Sequence, residues 1–440
     1  MPGIGIGISP MLRRSSNQWR TYWTKLLSDI GYEHPMLPGL TIDKVGGVWT
    51  ITSHTIDDFR KVLASPIVKY VDAIDGLDTN NGNTPATAYK TLEKLRSSGG
   101  ADRAYLTPGN YAALVTIFNN TTELISSGEA FISSGYLGSE LTWTDTGGGV
   151  FTAPMTATYV VVDTALTDAN GDPTALKSVA NAAAVAATAG TFFRDTGTNT
   201  LYVRMYDDAT PNRASVNVAI AISTFRDSNY NYAENITFVG GSAAASTSTT
   251  KSYIAAKNCK FIYKIAGNTL DFAGNVWSWL ENCTFARSKW DGANYAASGD
   301  YTPYGVEVGC VGRDCGGAEN YGINTSIFNG STVHTGVIIL RVNGDYYGTE
   351  GIQVHDVGTS VSLNISCKAH DSISVYVSHR GGFGTGAGVG DTSKVYLFDC
   401  ETSGADTAGV VNRITATAHI YGRLTDKIHS VQAGTTLETF

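Results

Sequence analysis

This sequence has few charged residues, few cysteines and no long apolar run, and each shortage excludes a class of protein. Charged side chains make up 16% of the 440 residues, against about 25% in an average globular protein, which argues against a helical solenoid with charged outer faces. Six cysteines are too few for a disulfide scaffold in a chain of this length. No apolar run reaches the ~18 residues of a transmembrane helix, so we expect no membrane insertion.

The net charge and the N-terminal residues argue against a nucleic-acid partner and a signal peptide. The net charge is −8, whereas nonspecific nucleic-acid binding relies on Lys and Arg that neutralise phosphates. We therefore expect no nucleic-acid partner. The opening MPGIGIGISPMLRRSSNQW places a short apolar patch before its basic residues, the reverse of the order in a secretory signal, so no signal peptide is expected.

Glycine and tyrosine are abundant. Glycine supplies 49 residues and tyrosine 23, and the glycine share exceeds the usual ~7%. Such a composition is typical of many strands joined by many turns. With 42% hydrophobic residues the chain can also bury a large core, so we predict an all-β fold.

A short internal repeat specifies the kind of β fold. The pattern NITF at 235–238 returns as NCKF at 258–261 and as NCTF at 282–285, in steps of 23 and 24 residues. A period in the low twenties predicts a solenoid whose repeats stack on their neighbours. We predict a right-handed parallel β-helix, with inward Ile, Phe and Cys ladders and asparagines stacked at the corners.

Changes in local pattern divide the chain into four predicted parts. Residues 1–66 form an N-terminal arm with short helices, 67–138 the start and first coils of the β-helix, 139–222 an inserted β-rich module, and 223–440 the main β-helix. One helical face in the arm is apolar at a spacing of about 3.6 residues. Its members are Trp19, Trp23, Leu26, Leu27 and Ile30.

The segment 70–95 resembles the opening motif of pectin-lyase-like β-helix proteins. The matching positions are Tyr70-Val71-Asp72, Gly76, Asp78, Gly82, Pro85, Tyr89 and Thr91. The LTPGNY that follows resembles the turn of the first coil, and the LYVR hairpin resembles a small inserted domain of some of these proteins. The resemblance covers about 70–440 and implies the β-helix fold.

A second resemblance lies in the arm, where GIGIGISP is similar to the start of phage structural proteins. Tailspikes join a virion-anchoring N-terminal piece to a β-helix that binds or cleaves polysaccharide. The resemblance implies a homotrimer in a phage tail that acts at the host cell surface. Its implied partners are host-surface polysaccharide and other phage tail or baseplate proteins. The apolar helical face is then a virion-docking element, or a cap over the open end of the β-helix.

The densest polar stretch, 287–380, is the predicted polysaccharide groove. Adjacent strands lie about 4.8 Å apart, so carboxylates on neighbouring coils match the ~5 Å spacing of retaining glycosidases. Asp291 and Glu307 are the predicted acid/base pair, with Asp314 in reserve. The predicted substrate-binding residues are Trp290, Tyr295, His334, Tyr346, Tyr347, His355 and Arg380.

Other interpretations stay open at this stage. Asp291-Gly292 also fits a turn and Glu307 an exposed strand position, while His379-Arg380 also fits a lyase site. Cys310 and Cys315 are either reduced or joined. No cofactor and no metal are expected, because the run Asp75 to Asn80 lacks EF-hand spacing. The function is polysaccharide recognition, depolymerisation on the same fold, or a purely structural role in the virion.

Overall fold

Three stacks of parallel strands wind around one interior in the computed structural model. The structure describes residues 27, 28, 30–113, 118, 121–158, 160–220, 223–225, 230–246, 249–264, 267–316, 328–373, 381–386, 390–404, 410–412, 417–421, 428–431 and 436–439. Between Ser252 and Asn412, each coil passes through sheet 1, sheet 2 and sheet 3 and pairs with the next coil. The right-handed parallel β-helix predicted from the repeat is confirmed.

The strands of the three sheets are short and follow one another in coil order. Sheet 1 contains Val68–Val71, Ala101–Leu106, Ser252–Lys257, Val276–Glu281, Tyr304–Val308, Ile338–Val342, Val361–Ile365, Lys394–Phe398, Thr417–Tyr421 and Thr436–Thr439. Sheet 2 contains Gly109–Ala112, Lys260–Lys264, Thr284–Ser288, Val311–Arg313, Asp345–Tyr347, Lys368–His370 and Glu401–Ser403. Sheet 3 contains Ser223–Thr224, Ser242–Ser246, Leu270–Gly274, Ala293–Ala296, Ser331–Val333, Ile352–Asp356, Gly381–Thr385, Val410–Asn412 and Ile428–Val431. Thr121–Ser133 and Tyr230–Val239 run from sheet 1 into sheet 2.

The repeated asparagines stack at the corner between sheets 1 and 2. Asn235, Asn258 and Asn282 have φ values of 59°, 51° and 52°, a left-handed conformation that asparagine tolerates better than most residues. The Asn258 amide donates to Asn235 Oδ1 at 3.1 Å, and the Asn282 amide donates to Asn258 Oδ1 at 3.4 Å. The predicted asparagine ladder is confirmed.

The interior is lined by ladders of apolar side chains. Phe238 and Phe261 stack with their ring centroids 5.1 Å apart and their planes 7° apart. Cysteines follow the corner position in several coils, and Cys310 and Cys315, like the other cysteines, are buried and free. They pack as small apolar side chains.

The inserted module consists of one antiparallel sheet and one mixed sheet between Gly135 and Ala219, and in the mixed sheet Lys177–Ser178 runs parallel to Thr191–Asp195. One sheet contains Gly135–Leu137, Val160–Thr167, Pro173–Ala175 and Val216–Ala219, and the other Thr144–Asp145, Val150–Pro154, Lys177–Ser178, Thr191–Asp195 and Thr200–Arg204. Helix Ala182–Ala187 and the 3-10 helix Gly138–Glu140 accompany them. The first sheet packs on the outside of sheet 2 through Val160 and Val162, which meet Val239 and Ile262.

The N-terminal segment lies along the outside of sheet 1. It contains the hairpin Ile42–Val45 with Val48–Ile51 and the 3-10 helix Ile56–Phe59. Its apolar side chains pack on sheet 1. Trp49 contacts Phe398, and Phe59 contacts Trp279. A 3-10 helix at Pro85–Thr87 and the helix Leu92–Ser97 follow. None of the helices within the described residues is long and apolar enough to cross a membrane.

Candidate functional site

Sheet 3 differs from sheets 1 and 2 in what lies outside it. The N-terminal segment covers sheet 1 and the module covers sheet 2, whereas among the residues with described side chains no apolar cluster of this kind covers sheet 3. One outward row of sheet 3 pairs Asp271, Asn294, Thr332 and His355 across four coils. The sheet 3 surface is therefore the candidate site.

Three successive coils each carry two polar side chains, three residues apart, on the outer face of sheet 3, where Asp291, Asn294, Asn329 and Thr332 are buried and Asn268 and Asp271 are partly exposed. The pairs are Asn268 with Asp271, Asp291 with Asn294, and Asn329 with Thr332. Because adjacent parallel strands lie about 4.8 Å apart, the six side chains form two rows, which we call the polar lattice. Strand stacking brings them together although they span more than sixty residues of sequence.

Amide groups hold both carboxylates of the polar lattice. Asp271 Oδ1 accepts hydrogen bonds from Asn294 Nδ2 at 2.7 Å and from Asn268 Nδ2 at 3.2 Å. Asp291 Oδ1 accepts from the backbone N–H of Asn329 at 2.7 Å and from its side-chain amide at 3.0 Å. The donors fix both carboxyl groups, so their geometry is set before any ligand arrives.

Asp291, in the polar lattice, has a shifted pKa. Its side chain is buried, and burial raises its pKa to about 6. The hydrogen bonds from Asn329 oppose this rise, and the negative charge of Asp271 adds to it. Burial and a like charge both disfavour the ionised form of a carboxyl group. Asp291 therefore holds a proton at mildly acidic pH.

An aromatic pair lies at the edge of the polar lattice. Trp290 is 43% exposed, and its ring stacks on Phe328 with centroids 5.9 Å apart. Lys264, in the preceding coil, is buried, and burial lowers its pKa to about 8 although Asp271 attracts its charge. An indole face, a carboxyl pair and an ammonium group thus share one region.

Two histidines border the polar lattice in the later coils. His334 Nε2 lies 2.9 Å from Asn294 Oδ1, and burial lowers the pKa of the ring. His355 occupies the outward row after Thr332, with its Nε2 3.3 Å from the carbonyl of Gly386. Of the predicted site residues, the structure brings Asp291, Trp290, His334 and His355 to this surface.

Glu307, Tyr295 and Tyr346 are inside the β-helix, which corrects their prediction as groove residues. All three side chains are fully buried. Tyr346 donates a hydrogen bond to Glu307 Oε2 at 2.5 Å, and Ser331 donates one to Glu307 Oε1 at 3.0 Å. Side chains alternate between the two faces of a strand, and Glu307 falls on the inward face. The proposed pairing of Asp291 with Glu307 therefore does not form.

Asp314 and Tyr347 lie on the sheet 2 side, which corrects their prediction as groove residues as well. Asp314 Oδ2 accepts from Arg313 Nη1 at 2.6 Å, and Arg313 also pairs with Asp172 of the module. Tyr347 stacks on His370 with ring centroids 5.1 Å apart. Asp314 therefore belongs to a contact between the module and the β-helix.

The apolar helical face of the arm is seen only in part. Trp19, Trp23 and Leu26 lie outside the described residues, as does the predicted substrate-binding Arg380. Leu27 is 8% exposed and Ile30 packs beside it on sheet 1, where the backbone carbonyl of Ile30 accepts a hydrogen bond from Tyr396 at 3.4 Å.

The contacts of Leu27 and Ile30 bear on two of the five residues of that face. Neither of the two presents a free docking surface, because each packs against the chain's own sheet 1. The described part of the segment runs along the side of the β-helix, where sheet 1 presents apolar residues such as Trp279, and the roles predicted for the other three residues stay predictions.

Sequence reasoning missed most of the polar lattice. Its missed members are Asn268, Asp271, Asn294, Asn329 and Thr332, with Phe328 and Lys264 beside it. One signal was present, because the steps from 268 to 291 and from 271 to 294 have the same length as the asparagine repeat. Within the described part of the chain, no group of three or more His, Cys, Asp or Glu residues is arranged to hold a metal ion.

Comparisons with known proteins support the fold. No protein-family model matches the sequence, and no curated protein matches it. A solved glycoside hydrolase aligns with a TM-score of 0.52 at 10% identity, over 84% of this chain and 95% of that chain. The A-module of a mannuronan C-5 epimerase from Azotobacter vinelandii gives 0.34 at 9% identity, over 83% and 99%. The tailspike protein of Pseudomonas phage LKA1 gives 0.31 at 11% identity, over 77% and 69%.

Proposed function

We propose that this protein recognises a polysaccharide on the outer surface of sheet 3. The observation that carries the proposal is the polar lattice with the exposed Trp290 at its edge. Sugar rings offer hydroxyl groups around an apolar face. A fixed array of amide and carboxyl groups matches the hydroxyls, and an aromatic ring with free surface matches the apolar face.

The place of the protein in a virion is part of the same proposal. The GIGIGISP arm resembles phage structural proteins, and the β-helix agrees with a tailspike or receptor-binding protein. We propose that it acts at the host cell surface as a homotrimer and contacts other tail or baseplate proteins. This part rests on the resemblance of the arm, whereas the glycan proposal rests on sheet 3.

Replacing Trp290 with alanine is expected to weaken polysaccharide binding about 30-fold, because losing a central aromatic contact costs about 2 kcal/mol. The probes are purified bacterial surface polysaccharides, some neutral and some containing uronic acids. Co-elution of protein and glycan in size-exclusion chromatography identifies a binder, and titration calorimetry then measures its affinity.

The matched control is Tyr206→Ala, which removes a 47% exposed aromatic side chain on the module, away from sheet 3. It is expected to leave the affinity unchanged. Equal losses in both variants, or no loss in Trp290→Ala, contradict the sheet 3 site. No co-elution with any polysaccharide supports the structural virion role instead.

A depolymerase is the second candidate, and the raised pKa of Asp291 favours it. Protonated Asp291 gives its proton to the glycosidic oxygen as the bond from that oxygen to the anomeric carbon breaks. Asp271 is paired with Asn294, three residues along the chain from Asp291, so the backbones of the two acids are separated by more than the ~4.8 Å between neighbouring strands. In the wider, inverting arrangement, a water molecule attacks the anomeric carbon and passes a proton to Asp271. An acid with a raised pKa opposite a carboxylate is the pairing that glycoside hydrolysis requires.

Asp291→Asn is expected to reduce cleavage at least about 100-fold, because general acid catalysis typically contributes that much. The wild-type rate is expected to be highest below pH 6 and to fall as the pH rises above about 6, since Asp291 then loses the proton it donates. Polymer length measured by size-exclusion chromatography over a range of pH tests both points.

Asp300→Asn is the matched control, because Asp300 is an exposed acid in the turn after strand Ala293–Ala296. It is expected to retain full cleavage. Binding without any fall in polymer length, at every pH, excludes the depolymerase and leaves the recognition proposal intact.

A further inference from the structure

A cleft of about 880 Å³ lies far from the polar lattice, where three parts of the chain meet. Its walls come from the turn after the first strand of sheet 1, the first strand of sheet 2 and the first strand of the module. The volume falls within the roughly 300–1,000 Å³ of small-molecule sites, which often lie where domains meet. The module and the β-helix thus enclose a space of ligand size.

Asn110 connects the lining of the cleft to the module. Its Oδ1 accepts from Thr164 Oγ1 at 2.8 Å and from Asn217 Nδ2 at 3.1 Å, both in the module. A side-chain amide also carries two N–H donors. The two contacts hold the amide of Asn110 in the lining, and its N–H donors are the polar groups that it can offer a ligand.

The rest of the lining alternates apolar and polar groups. Ile74, which is 72% exposed, and Tyr136 supply apolar surface. Glu140 supplies a carboxylate, and Lys90 supplies an ammonium donor. An apolar lining with a few converging polar groups is typical of binding sites, and the mixture of donors and acceptors suits hydroxyl groups, which both donate and accept.

We infer that this cleft binds a neutral sugar, at a site separate from sheet 3. Glu93 pairs with Arg96 at 2.5 Å, and the other charged lining residues, Glu140 and Lys90, have opposite signs. The lining therefore has no surplus of positive charge to select an acidic sugar. The small side chain of Ala112 lines the cleft and leaves its volume open. Ser133, the residue paired with Ala112 in the next coil, is fully buried. This site and the site of the proposed function both take a carbohydrate, but they are formed by different residues.

Saturation-transfer NMR with the full-length protein tests the inference. The probe is a mixture of neutral hexoses, deoxyhexoses, N-acetylhexosamines and their disaccharides, with galacturonic acid as the acidic comparison. We expect transfer to at least one neutral sugar and none to galacturonic acid. Ala112→Trp fills the cleft and is expected to abolish the transfer, and Lys90→Ala, at an exposed position, is expected to weaken it at least threefold.

Trp290→Ala separates the two sites, because it changes sheet 3 and leaves the cleft intact. Transfer that survives Trp290→Ala and disappears in Ala112→Trp supports the cleft, whatever happens to polymer binding. Transfer lost in Trp290→Ala and kept in Ala112→Trp, no transfer from any neutral sugar, or preference for galacturonic acid overturns the inference. Should Ala112→Trp fail to fold, Lys90→Ala decides alone, and unchanged transfer in that variant counts against the cleft.

Discussion

Replacing Arg341 with methionine is expected to lower the free energy of unfolding by about 3–5 kcal/mol, because the change leaves buried carboxylates without their counter-charge. Arg341 is fully buried inside the β-helix. Its guanidinium lies 3.2 Å from Asp356 Oδ1, and its Nε lies 3.7 Å from Glu307 Oε2. Urea denaturation of the variant and the wild type measures the difference.

Lys368→Met is the matched control for Arg341→Met. Lys368 pairs with Glu401 across sheet 2, and their side chains are 56% and 57% exposed, so the loss is expected to stay below about 1 kcal/mol. Burial already raises the pKa of Glu307, and losing the arginine raises it further. The loss of unfolding free energy in Arg341→Met is therefore expected to become smaller as the pH falls and Glu307 takes up a proton. A loss as small as the control's, or one that is independent of pH, contradicts this account.

Replacing Asp172 with asparagine is expected to loosen the module from the β-helix. Asp172 is fully buried and pairs with Arg313, and its Oδ2 lies 3.4 Å from Arg287 Nε. Without Asp172, Asp314 is the counter-charge that stays beside the buried Arg313 among the described residues. We expect a loss of about 3 kcal/mol and faster hydrogen exchange in the module strand Val160–Thr167, which packs on sheet 2.

The matched control for Asp172→Asn is Asp208→Asn, within the module. Asp208 pairs with Arg204 at 2.7 Å, and its side chain is 49% exposed, so a change below about 1 kcal/mol is expected. Exchange in Val160–Thr167 that is as slow in Asp172→Asn as in the wild type shows that apolar packing alone holds the module in place.

The sequence by itself determined the coil and its corners. Asn235, Asn258 and Asn282 recur because one corner of each coil needs a left-handed residue, and a stacked amide serves that position in successive coils. In the hairpin of Thr191–Asp195 with Thr200–Arg204, likewise, the turn residues Asp195-Thr196-Gly197 lie between two apolar runs. These features depend on neighbours in sequence or on a constant period, so they can be found without a structure.

The tertiary structure alone decided which polar residues share a surface. Glu307 lies on the inward face of strand Tyr304–Val308 in sheet 1, whereas Asp291 lies just before strand Ala293–Ala296 on the outer face of sheet 3. A shift of one residue in register reverses the face of a strand side chain, so the sequence alone did not separate the two acids. The step from Asp291 to Asn329 is 38 residues, so a longer coil breaks the period there and hides the third pair of the polar lattice, Asn329 with Thr332. Which sheet the N-terminal segment and the module cover also depends on packing between distant parts of the chain, and no local pattern encodes it.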